Sequence, residues 1–288
     1  MPAATLADLL RAATDRLAAC NDAPRREAEQ LLAAAASLSR AALVADATRS
    51  VDAATAERFG HWIERRCRGE PLAYITGRRG FWTLDLEVTP DVLVPRPETE
   101  LVVERALGHG AARTRLVDLG TGSGAIALAL ANERPLWSIT AVDQSTAALA
   151  VAQRNAARLG IAGIDWRHGS WFAPLAGQRF DIIASNPPYI AADDAALGDA
   201  ALRHEPQDAL TPGADALAAL RAIVAAAPHH LEDGGWIILE HGATQGPAVR
   251  ALLEAQGFRH VVSVRDLSGH ERVTEGRLPQ QPAAAPHA

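Results

Sequence analysis

Four consecutive residues of the chain have the groups needed to hold a flat NH2 group. They are Asn186, Pro187, Pro188 and Tyr189, and they follow the apolar run 180–184. The side-chain carbonyl of Asn186 and the backbone carbonyl of Pro187, which lacks an N–H, together accept both hydrogens of an amino or amide group. The Tyr189 ring can lie against the planar group and fix its tilt. The run therefore predicts chemistry on a nitrogen atom, and an ordinary Asn-Pro turn closing a strand is the alternative.

These two acceptors favour a transition state in which a nitrogen attacks an electrophile. Such a nitrogen gains positive charge, and acceptors placed in advance stabilise that charge more than they stabilise the neutral ground state. No strong base is then required, and the sequence identifies none.

A glycine-rich turn between a strand and a helix predicts part of a cofactor-binding site. A short apolar strand at 115–119 precedes it, and a helical run at 125–132 follows. Glycines let the backbone approach a ligand closely, and the N–H groups at the helix start face that ligand. The spacing is G-x-G-x-G, whereas the dinucleotide fingerprint is G-x-G-x-x-G, so the turn alone is weak support. The turn consists of Gly120, Thr121, Gly122, Ser123 and Gly124.

An acidic residue at the tip of the next strand strengthens this prediction. Asp143 follows the strand 138–142, and a carboxylate at this position can hold the ribose diol of a nucleotide. The helical run 145–159 begins just after it, so a helix N-cap is the alternative role for Asp143. The glycines upstream favour the ribose contact.

Together these segments resemble the class I S-adenosylmethionine-dependent methyltransferases, and within them the release factor glutamine methyltransferase family (PrmC, also called HemK). The resemblance covers most of the chain. The Asn-Pro-Pro-Tyr run is shared with adenine-N6 DNA methyltransferases and other amino-group methylases, so the flanking segments make the narrower match. They are 71–77 (PLAYITG), 94–100 (VPRPETE), 118–124 (DLGTGSG), 240–242 (EHG) and 271–274 (ERVT).

The resemblance implies a binding site for S-adenosyl-L-methionine. Residues 120–124, Asp143 and Asn186 are implied to hold the cofactor, and Trp171 to lie beside its adenine ring. Core packing is the alternative role for Trp171. The chain has Ser170 where the family commonly has an acidic residue, so we expect no charged contact to the adenine amino group.

The resemblance also implies the reaction. Asn186, Pro187, Pro188 and Tyr189 are implied to bind a glutamine side-chain amide, with Asn186, Pro187 and Tyr189 in the catalytic role. The implied substrate is the glutamine of the Gly-Gly-Gln motif in peptide chain release factors. Its N5 nitrogen is methylated, S-adenosyl-L-homocysteine is the product, and no metal is expected.

Two other classes of function remain open. The first is an amino-group methylase of another substrate, either a ribosomal protein glutamine or a nucleic-acid adenine. The second is a nicotinamide-dependent oxidoreductase or a non-catalytic nucleotide-binding module, which leaves the Asn-Pro-Pro-Tyr run unexplained.

Two further polar segments lie at the ends of predicted elements. Residues 96–100 combine a proline with two glutamates ahead of an apolar run, which is typical of a helix start. The resemblance suggests that this segment also borders the substrate pocket. Glu240 and His241 close the strand 236–239, and we expect ordinary surface roles for both.

The chain as a whole predicts an α/β protein with a Rossmann-like class I methyltransferase fold. Alternating strands and helices after Val94 favour a seven-stranded, mostly parallel sheet with helices on both faces. Strands are predicted at 115–119, 138–142, 164–168, 180–184, 235–240, 260–265 and 271–275. The last two form the closing hairpin that the resemblance implies.

Four segments divide the chain. An N-terminal helical domain at 1–78 is predicted from helices that begin near Thr5 and Pro24 and a third that contains Phe59. A hairpin linker at 79–95, the methyltransferase domain at 96–278 and a disordered tail at 279–288 follow. The resemblance suggests that the helical domain helps to grip the protein substrate, and a purely stabilising role is the alternative.

Composition limits the partners. The chain has 288 residues and a net charge of −6, which disfavours a nucleic-acid-binding protein. No apolar run is long enough to cross a membrane and no signal-peptide pattern is seen, so a cytoplasmic monomer is expected. Two cysteines, Cys20 and Cys67, are too few and too far apart to indicate a metal site.

Overall fold

The computed structural model describes residues 4–280, and these residues form two compact units. One unit runs to Arg78 and takes in Gly198–His204. The other comprises Arg79–Leu197 and continues from Glu205. The predicted tail at 279–288 lies outside the described residues except for its first two positions.

The first unit is helical. Its helices are α1 (Leu6–Leu17), α2 (Pro24–Ala36), α3 (Arg40–Ala45), α4 (Ala53–Cys67) and α5 (Leu72–Thr76). Thr5 starts α1 with a capping box, in which its hydroxyl accepts from the Asp8 N–H and the Asp8 carboxylate accepts from the Thr5 N–H. The apolar faces of α1, α2 and α4 meet in one core that includes Leu17, Leu31 and Ile63. The three predicted helices are confirmed.

The second unit alternates strands and helices. It contains β1 (Arg78–Phe81), β2 (Leu84–Glu87), α6 (Glu100–His109), β3 (Arg115–Leu119), α7 (Ala125–Glu133), β4 (Ser138–Asp143), α8 (Thr146–Leu159), β5 (Asp165–His168), β6 (Phe180–Ser185), α9 (Gln207–Leu210), α10 (Ala218–His230), β7 (Leu231–Glu240), α11 (Gly246–Ala255), β8 (Arg259–Arg265) and β9 (Glu271–Arg277). Strands β1 and β2 form a separate two-stranded sheet, as the hairpin prediction requires.

The other seven strands form one sheet in the order β5-β4-β3-β6-β7-β9-β8. Strands β3 to β7 pair in parallel, and β9 runs antiparallel to both β7 and β8. Helices cover both faces, because alternate residues of the buried strands point to opposite sides. Leu116 and Ile182 pack with α6 and α7, whereas Val117 and Ile183 pack with α10 and α11. This is the predicted Rossmann-like methyltransferase fold.

All seven predicted strands are present, and one begins four residues earlier than expected. Strand β7 starts at Leu231 rather than at residue 235. Its register against β6 shifts between the Phe180–Leu231 pair and the Ile182–Trp236 pair, so the strand passes through an irregularity that contains Gly234 and Gly235. Because the pairing with β6 continues on both sides of these glycines, the strand begins before them.

No helix within residues 4–280 is both long and apolar enough to span a bilayer. In the same part of the chain, no three His, Cys, Asp or Glu side chains are grouped so that they can hold a metal ion.

Candidate active site

The parallel strands end at one edge of the sheet, and a cavity of about 470 Å³ lies there. Its size is within the range of roughly 300–1,000 Å³ that is typical of small-molecule sites. The cavity lies within the second unit. Its lining comprises Asp91, Val92, Leu93, Gly120, Gly122, Asp143, Gln144, Ser145, Ala148, Gly169, Ser170, Trp171, Asn186, Pro188, Pro206, Asp208 and Ala209.

The structure brings together residues from each predicted motif. Gly120, Gly122, Asp143, Trp171 and Asn186 all line the cavity, together with Pro188. The remaining predicted residues do not line it. Thr121, Ser123 and Pro187 are buried, Gly124 starts α7, and Tyr189 packs partly into the core beside α10 and α11.

The glycine turn has the left-handed backbone that its composition requires. Gly120, Gly122 and Gly124 have φ angles of 75°, 56° and 84°, which side-chain-bearing residues rarely adopt. The N–H groups of Gly120 and Thr121 both donate to the carbonyl of Val142, at 2.8 and 3.0 Å. The turn is therefore tied to the end of β4.

Asp118 stabilises the glycine turn from its buried side. Its carboxylate is fully buried and accepts hydrogen bonds from the Thr121 hydroxyl (2.6 Å) and the Ala127 N–H (3.3 Å). Burial raises the pKa of Asp118 to about 7, and these two donors offset only part of that effect. The charge of Asp143 raises the pKa further.

Asp143 connects two backbone segments at the cavity wall. One carboxylate oxygen accepts from the Gly122 N–H (2.8 Å) and the other from the Ser145 N–H (2.8 Å). Burial raises the pKa of Asp143, and these N–H donors oppose the rise. Ser145 is the N-cap of α8, since its hydroxyl accepts from the Ala148 N–H (3.1 Å). The helix-cap alternative for Asp143 is therefore wrong.

Trp171 lines the cavity and also contacts the core. Its backbone is in the left-handed region at φ 47°, a conformation that costs on the order of 1–3 kcal/mol and recurs at binding sites. A Cβ atom placed on Gly120 would lie 3.5 Å from the Trp171 ring, so the ring packs closely on the turn. Ser170 also lines the cavity. The expected lack of a charged contact to an adenine ring at this position stays a prediction.

Asn186 is oriented by a hydrogen bond. Its Nδ2 donates to Thr99 Oγ1 at 3.0 Å. Within residues 4–280 its carbonyl oxygen Oδ1 has no hydrogen-bond partner, and the residue lines the cavity. The preceding residue, Ser185, donates its hydroxyl hydrogen to the Leu119 carbonyl at 2.6 Å, which joins the ends of β6 and β3. The amide is thus held with its acceptor available.

Tyr189 is held at both ends. Its hydroxyl donates to Glu240 Oε1 (3.2 Å), and its backbone carbonyl accepts from Gln245 Nε2 (2.9 Å). Burial raises the pKa of Tyr189 above its ordinary value, and the nearby Glu240 charge adds to the rise. The phenol therefore stays protonated at neutral pH.

The expected surface roles for Glu240 and His241 are wrong. Glu240 is 1% exposed and His241 is fully buried. Strand β7 has neighbours on both sides, and its carboxyl end is covered as a result. His241 is paired through Nε2 with the Thr274 hydroxyl (2.7 Å) and through Nδ1 with the Gly242 carbonyl (2.9 Å). Burial lowers its pKa.

Sequence reasoning missed two lining segments, 91–93 and 206–209. Glu205, which precedes the second segment, links the two. Its carboxylate accepts from the Val94 N–H (3.0 Å) and from Arg96 Nη2 (2.6 Å), just after the first segment. Its side chain is only 1% exposed. No periodic or turn signal indicates this pairing, because the partners are more than 100 residues apart.

The cavity favours a cationic ligand. Three carboxylates, Asp91, Asp143 and Asp208, line it, and none of its described lining residues is Arg, Lys or His. A dinucleotide with a pyrophosphate would meet like charge here. A ligand with positive charge and a ribose would be complementary to it.

Comparisons with known proteins agree with this geometry. The family described as "PrmC N-terminal domain" matches residues 8–77, and "Methyltransferase small domain" matches residues 98–214. A release factor glutamine methyltransferase of Pseudomonas aeruginosa is 53% identical over 254 residues, covering 88% of this chain and 92% of the relative. The chain belongs to the release factor glutamine methyltransferase family. A second member of this family, from Xylella fastidiosa, is 49% identical over 273 residues, with 94% of this chain and 97% of the relative covered.

The fold is also that of a solved methyltransferase. A methyltransferase from Pyrococcus furiosus superposes with a TM-score of 0.54 at 18% identity, covering 75% of this chain and 98% of that one. At this identity the likeness concerns the fold alone. The family and the fold that the sequence motifs predicted are both confirmed.

Proposed function

We propose that this protein methylates the side-chain amide nitrogen, N5, of the glutamine in the Gly-Gly-Gln motif of peptide chain release factors. The orientation of Asn186 is the observation on which the proposal rests. Its NH2 group is bound to Thr99, so its carbonyl oxygen is left to accept a hydrogen from an incoming amide. The family to which the chain belongs identifies that amide as a glutamine of a release factor.

S-adenosyl-L-methionine fits the cavity beside Asn186. The turn 120–124 and Asp143 are proposed to hold its ribose and methionine portions, and Trp171 its adenine ring. The acidic lining complements the positive charges of the sulfonium and the ammonium group. When bound, this cofactor supplies an activated methyl carbon and leaves as S-adenosyl-L-homocysteine, and the N5 nitrogen releases one of its two hydrogens as a proton.

The chain's own residues have to align and polarise the nucleophile. An amide nitrogen is a poor nucleophile because its lone pair is delocalised. Asn186 Oδ1 and the Pro187 carbonyl are proposed to accept its two hydrogens, which stabilises the positive charge that develops in the transition state. Tyr189, which stays protonated at neutral pH, acts as a packing surface rather than as a base. The main contribution is therefore alignment and exclusion of water.

The proposal is tested by intact-mass analysis of a release factor after incubation with this protein and S-adenosylmethionine. We expect the gain of one methyl group, mapped by peptide fragmentation to the Gly-Gly-Gln glutamine. In Asn186→Ala the rate should fall by about 100- to 1,000-fold, the usual loss when one preorganised transition-state partner is removed. Asn132→Ala, an exposed substitution on α7, is the matched control and should keep the wild-type rate.

Three outcomes would contradict parts of the proposal. Cofactor binding without methylation of a release factor would overturn the substrate, and ribosomal proteins and then RNA would be tested next. Wild-type activity in Asn186→Ala would overturn the proposed role of Asn186 in binding the amide. Binding of NADH without binding of S-adenosylmethionine would overturn the methyltransferase assignment itself.

Release factors act on cytoplasmic ribosomes, so we also propose a cytoplasmic location. The monomeric state stays a prediction, which size-exclusion chromatography with light scattering would test.

A further inference from the structure

The run 186–189 has few ways of fixing its own backbone. Pro187 and Pro188 have no N–H and cannot donate a backbone hydrogen bond. The run therefore depends on its carbonyl oxygens and its side chains for anchorage. At its start, the side chain of Asn186 is anchored by the bond to Thr99.

Gln245 anchors the other end of the run. Its Nε2 donates to the Tyr189 backbone carbonyl at 2.9 Å, and its Oε1 accepts from the Gly242 N–H, also at 2.9 Å. One of these backbone partners can only accept and the other can only donate, so the orientation of the Gln245 amide is determined. A single side chain thus joins the Tyr189 backbone to the turn that follows β7.

The local structure around Gln245 directs its side chain toward the run. Gln245 is the N-cap of α11, and in the described part of the chain its side chain makes no capping bond to that helix. Its own N–H donates to the Gly242 carbonyl at 2.9 Å, which closes a turn over 242–245. A Cβ atom on Gly242 would lie 3.2 Å from Gln245 Oε1, so the glycine leaves room for the amide.

The Tyr189 ring is held at a second point. Its hydroxyl donates to Glu240 Oε1 at 3.2 Å, and Glu240 is 1% exposed at the end of β7. A ring that is held only through its hydroxyl can pivot about that bond, whereas a second anchor on its backbone fixes the tilt. Glu240 and Gln245 both belong to the segment 240–245, so one stretch of chain holds both ends of the tyrosine.

We propose that Gln245 is a positioning residue that holds the Tyr189 backbone through its side-chain amide and so fixes the tilt of the tyrosine ring against the substrate amide. The proposal rests on the function proposed above, because it presupposes that Tyr189 lies against the reacting amide. Gln245 is not among the described residues that line the cavity, so it acts through Tyr189. A displacement of about 1 Å at a reacting group can cost on the order of 100-fold in rate.

The substitution Gln245→Glu separates the two hydrogen bonds of this side chain. The carboxylate keeps an acceptor for the Gly242 N–H, but it places an oxygen instead of a donor next to the Tyr189 carbonyl. Assays at pH 8 keep the new carboxyl ionised, since an ordinary Glu has a pKa of about 4.3. We expect kcat on release factor to fall by about 10- to 100-fold, and KM to change less than kcat.

Cofactor affinity distinguishes positioning from general destabilisation. In Gln245→Glu the affinity for S-adenosylmethionine, measured by calorimetry, should stay within about twofold of wild type, because the loss concerns the transition state. A loss of cofactor affinity in parallel with kcat would overturn the proposal. It would show that the substitution disturbs the site as a whole.

Gln256→Glu is the matched control. It makes the same change at the exposed C-cap of the same helix and should keep the wild-type kcat. Gln245→Met, which keeps the length of the side chain but neither hydrogen-bonding group, should lose activity as Gln245→Glu does. Wild-type kcat in Gln245→Glu would overturn the proposal, because the bond to Gly242 would then be sufficient.

A structural readout keeps this proposal separate from the substrate assignment. The chain has two tyrosines, Tyr74 and Tyr189, so NMR spectra of protein with isotope-labelled tyrosine rings contain two sets of ring signals, and Tyr189→Phe identifies one of them. In Gln245→Glu the Tyr189 signals should shift or broaden, while those of Tyr74 in the helical unit should not change. Unchanged Tyr189 signals would overturn the inference, and a change confined to Tyr189 would support it even if release factor proves not to be the substrate.

Discussion

Asp118 and Asp143 lie at the carboxyl ends of neighbouring strands and differ in what they contact. Asp118 is fully buried beneath the glycine turn, where it accepts from the Thr121 hydroxyl and the Ala127 N–H and does not line the cavity. Asp143 lies at the cavity wall, and its two hydrogen bonds to backbone N–H groups leave further lone pairs for a ligand. The site thus separates a residue that stabilises the turn from one that can bind the cofactor.

Asp143→Ala should weaken S-adenosylmethionine binding by about 10- to 100-fold, because hydrogen bonds to a charged acceptor contribute roughly 1.5–3 kcal/mol. Isothermal titration calorimetry measures this change. Asp165→Ala, which removes a half-exposed carboxylate on the neighbouring β5, is the matched control and should bind as wild type does. Equal affinities of the two variants for S-adenosylmethionine would show that Asp143 does not bind the cofactor.

The main element at the site is the junction between β3 and α7. Gly124 is the N-cap of α7 with φ 84°, so the helix begins directly after a left-handed residue. The preceding glycines let the backbone turn sharply at the strand end. The helix start then faces the cavity, as in other sites where a glycine turn leads from a strand into a helix.

Alanine substitutions at two of these glycines should destabilise the protein to different degrees. Gly122→Ala introduces only the left-handed strain of about 1–2 kcal/mol, since nothing lies within 4 Å of the new Cβ. Gly124→Ala adds a close approach, at 2.8 Å to Leu128 Cδ1 and 3.2 Å to Ala152 Cβ. The free energy of unfolding from urea titrations should therefore fall further in Gly124→Ala, and the reverse order would contradict this account.

For the whole molecule, the buried carboxylates determine how stability varies with pH. The pKa of Asp118 is about 7 in the folded protein against 3.8 for a free side chain. Between these values the folded state holds a proton that the unfolded state has released. The contribution of Asp118 to the free energy of unfolding is fully present below pH 3.8. It is lost as the pH rises through about 7, by up to about 1.4 kcal/mol per pH unit.

Asp118→Asn should remove this loss. We expect the free energy of unfolding of the variant, relative to wild type, to increase between pH 5 and pH 8. The comparison between the two proteins is needed because His241, whose pKa is lowered by burial, changes stability in the opposite direction over part of this range. If the difference in the free energy of unfolding between Asp118→Asn and wild type did not change with pH, Asp118 would be ionised in the folded protein from pH 5 to pH 8.

Much of the fold is predictable from local patterns. The seven strands of the main sheet, the capping box at Thr5 and the glycine turn all depend on residues that are close in the sequence. Strand β7 shows the limit of such reasoning, because its pairing with β6 carries it across Gly234 and Gly235. The predicted site residues were found from their types and their places at strand ends, and their roles stay predictions.

The sequence alone determined the class of the protein, because glycine spacing, strand-end carboxylates and the Asn-Pro-Pro-Tyr run are local and chemically specific. Tertiary structure decided what surrounds them. Thr99 and Asn186 are 87 residues apart, and Tyr189 and Glu240 are 51 apart. No local pattern encodes such contacts; they arise because parallel strands end at a common edge, where side chains distant in sequence become buried together.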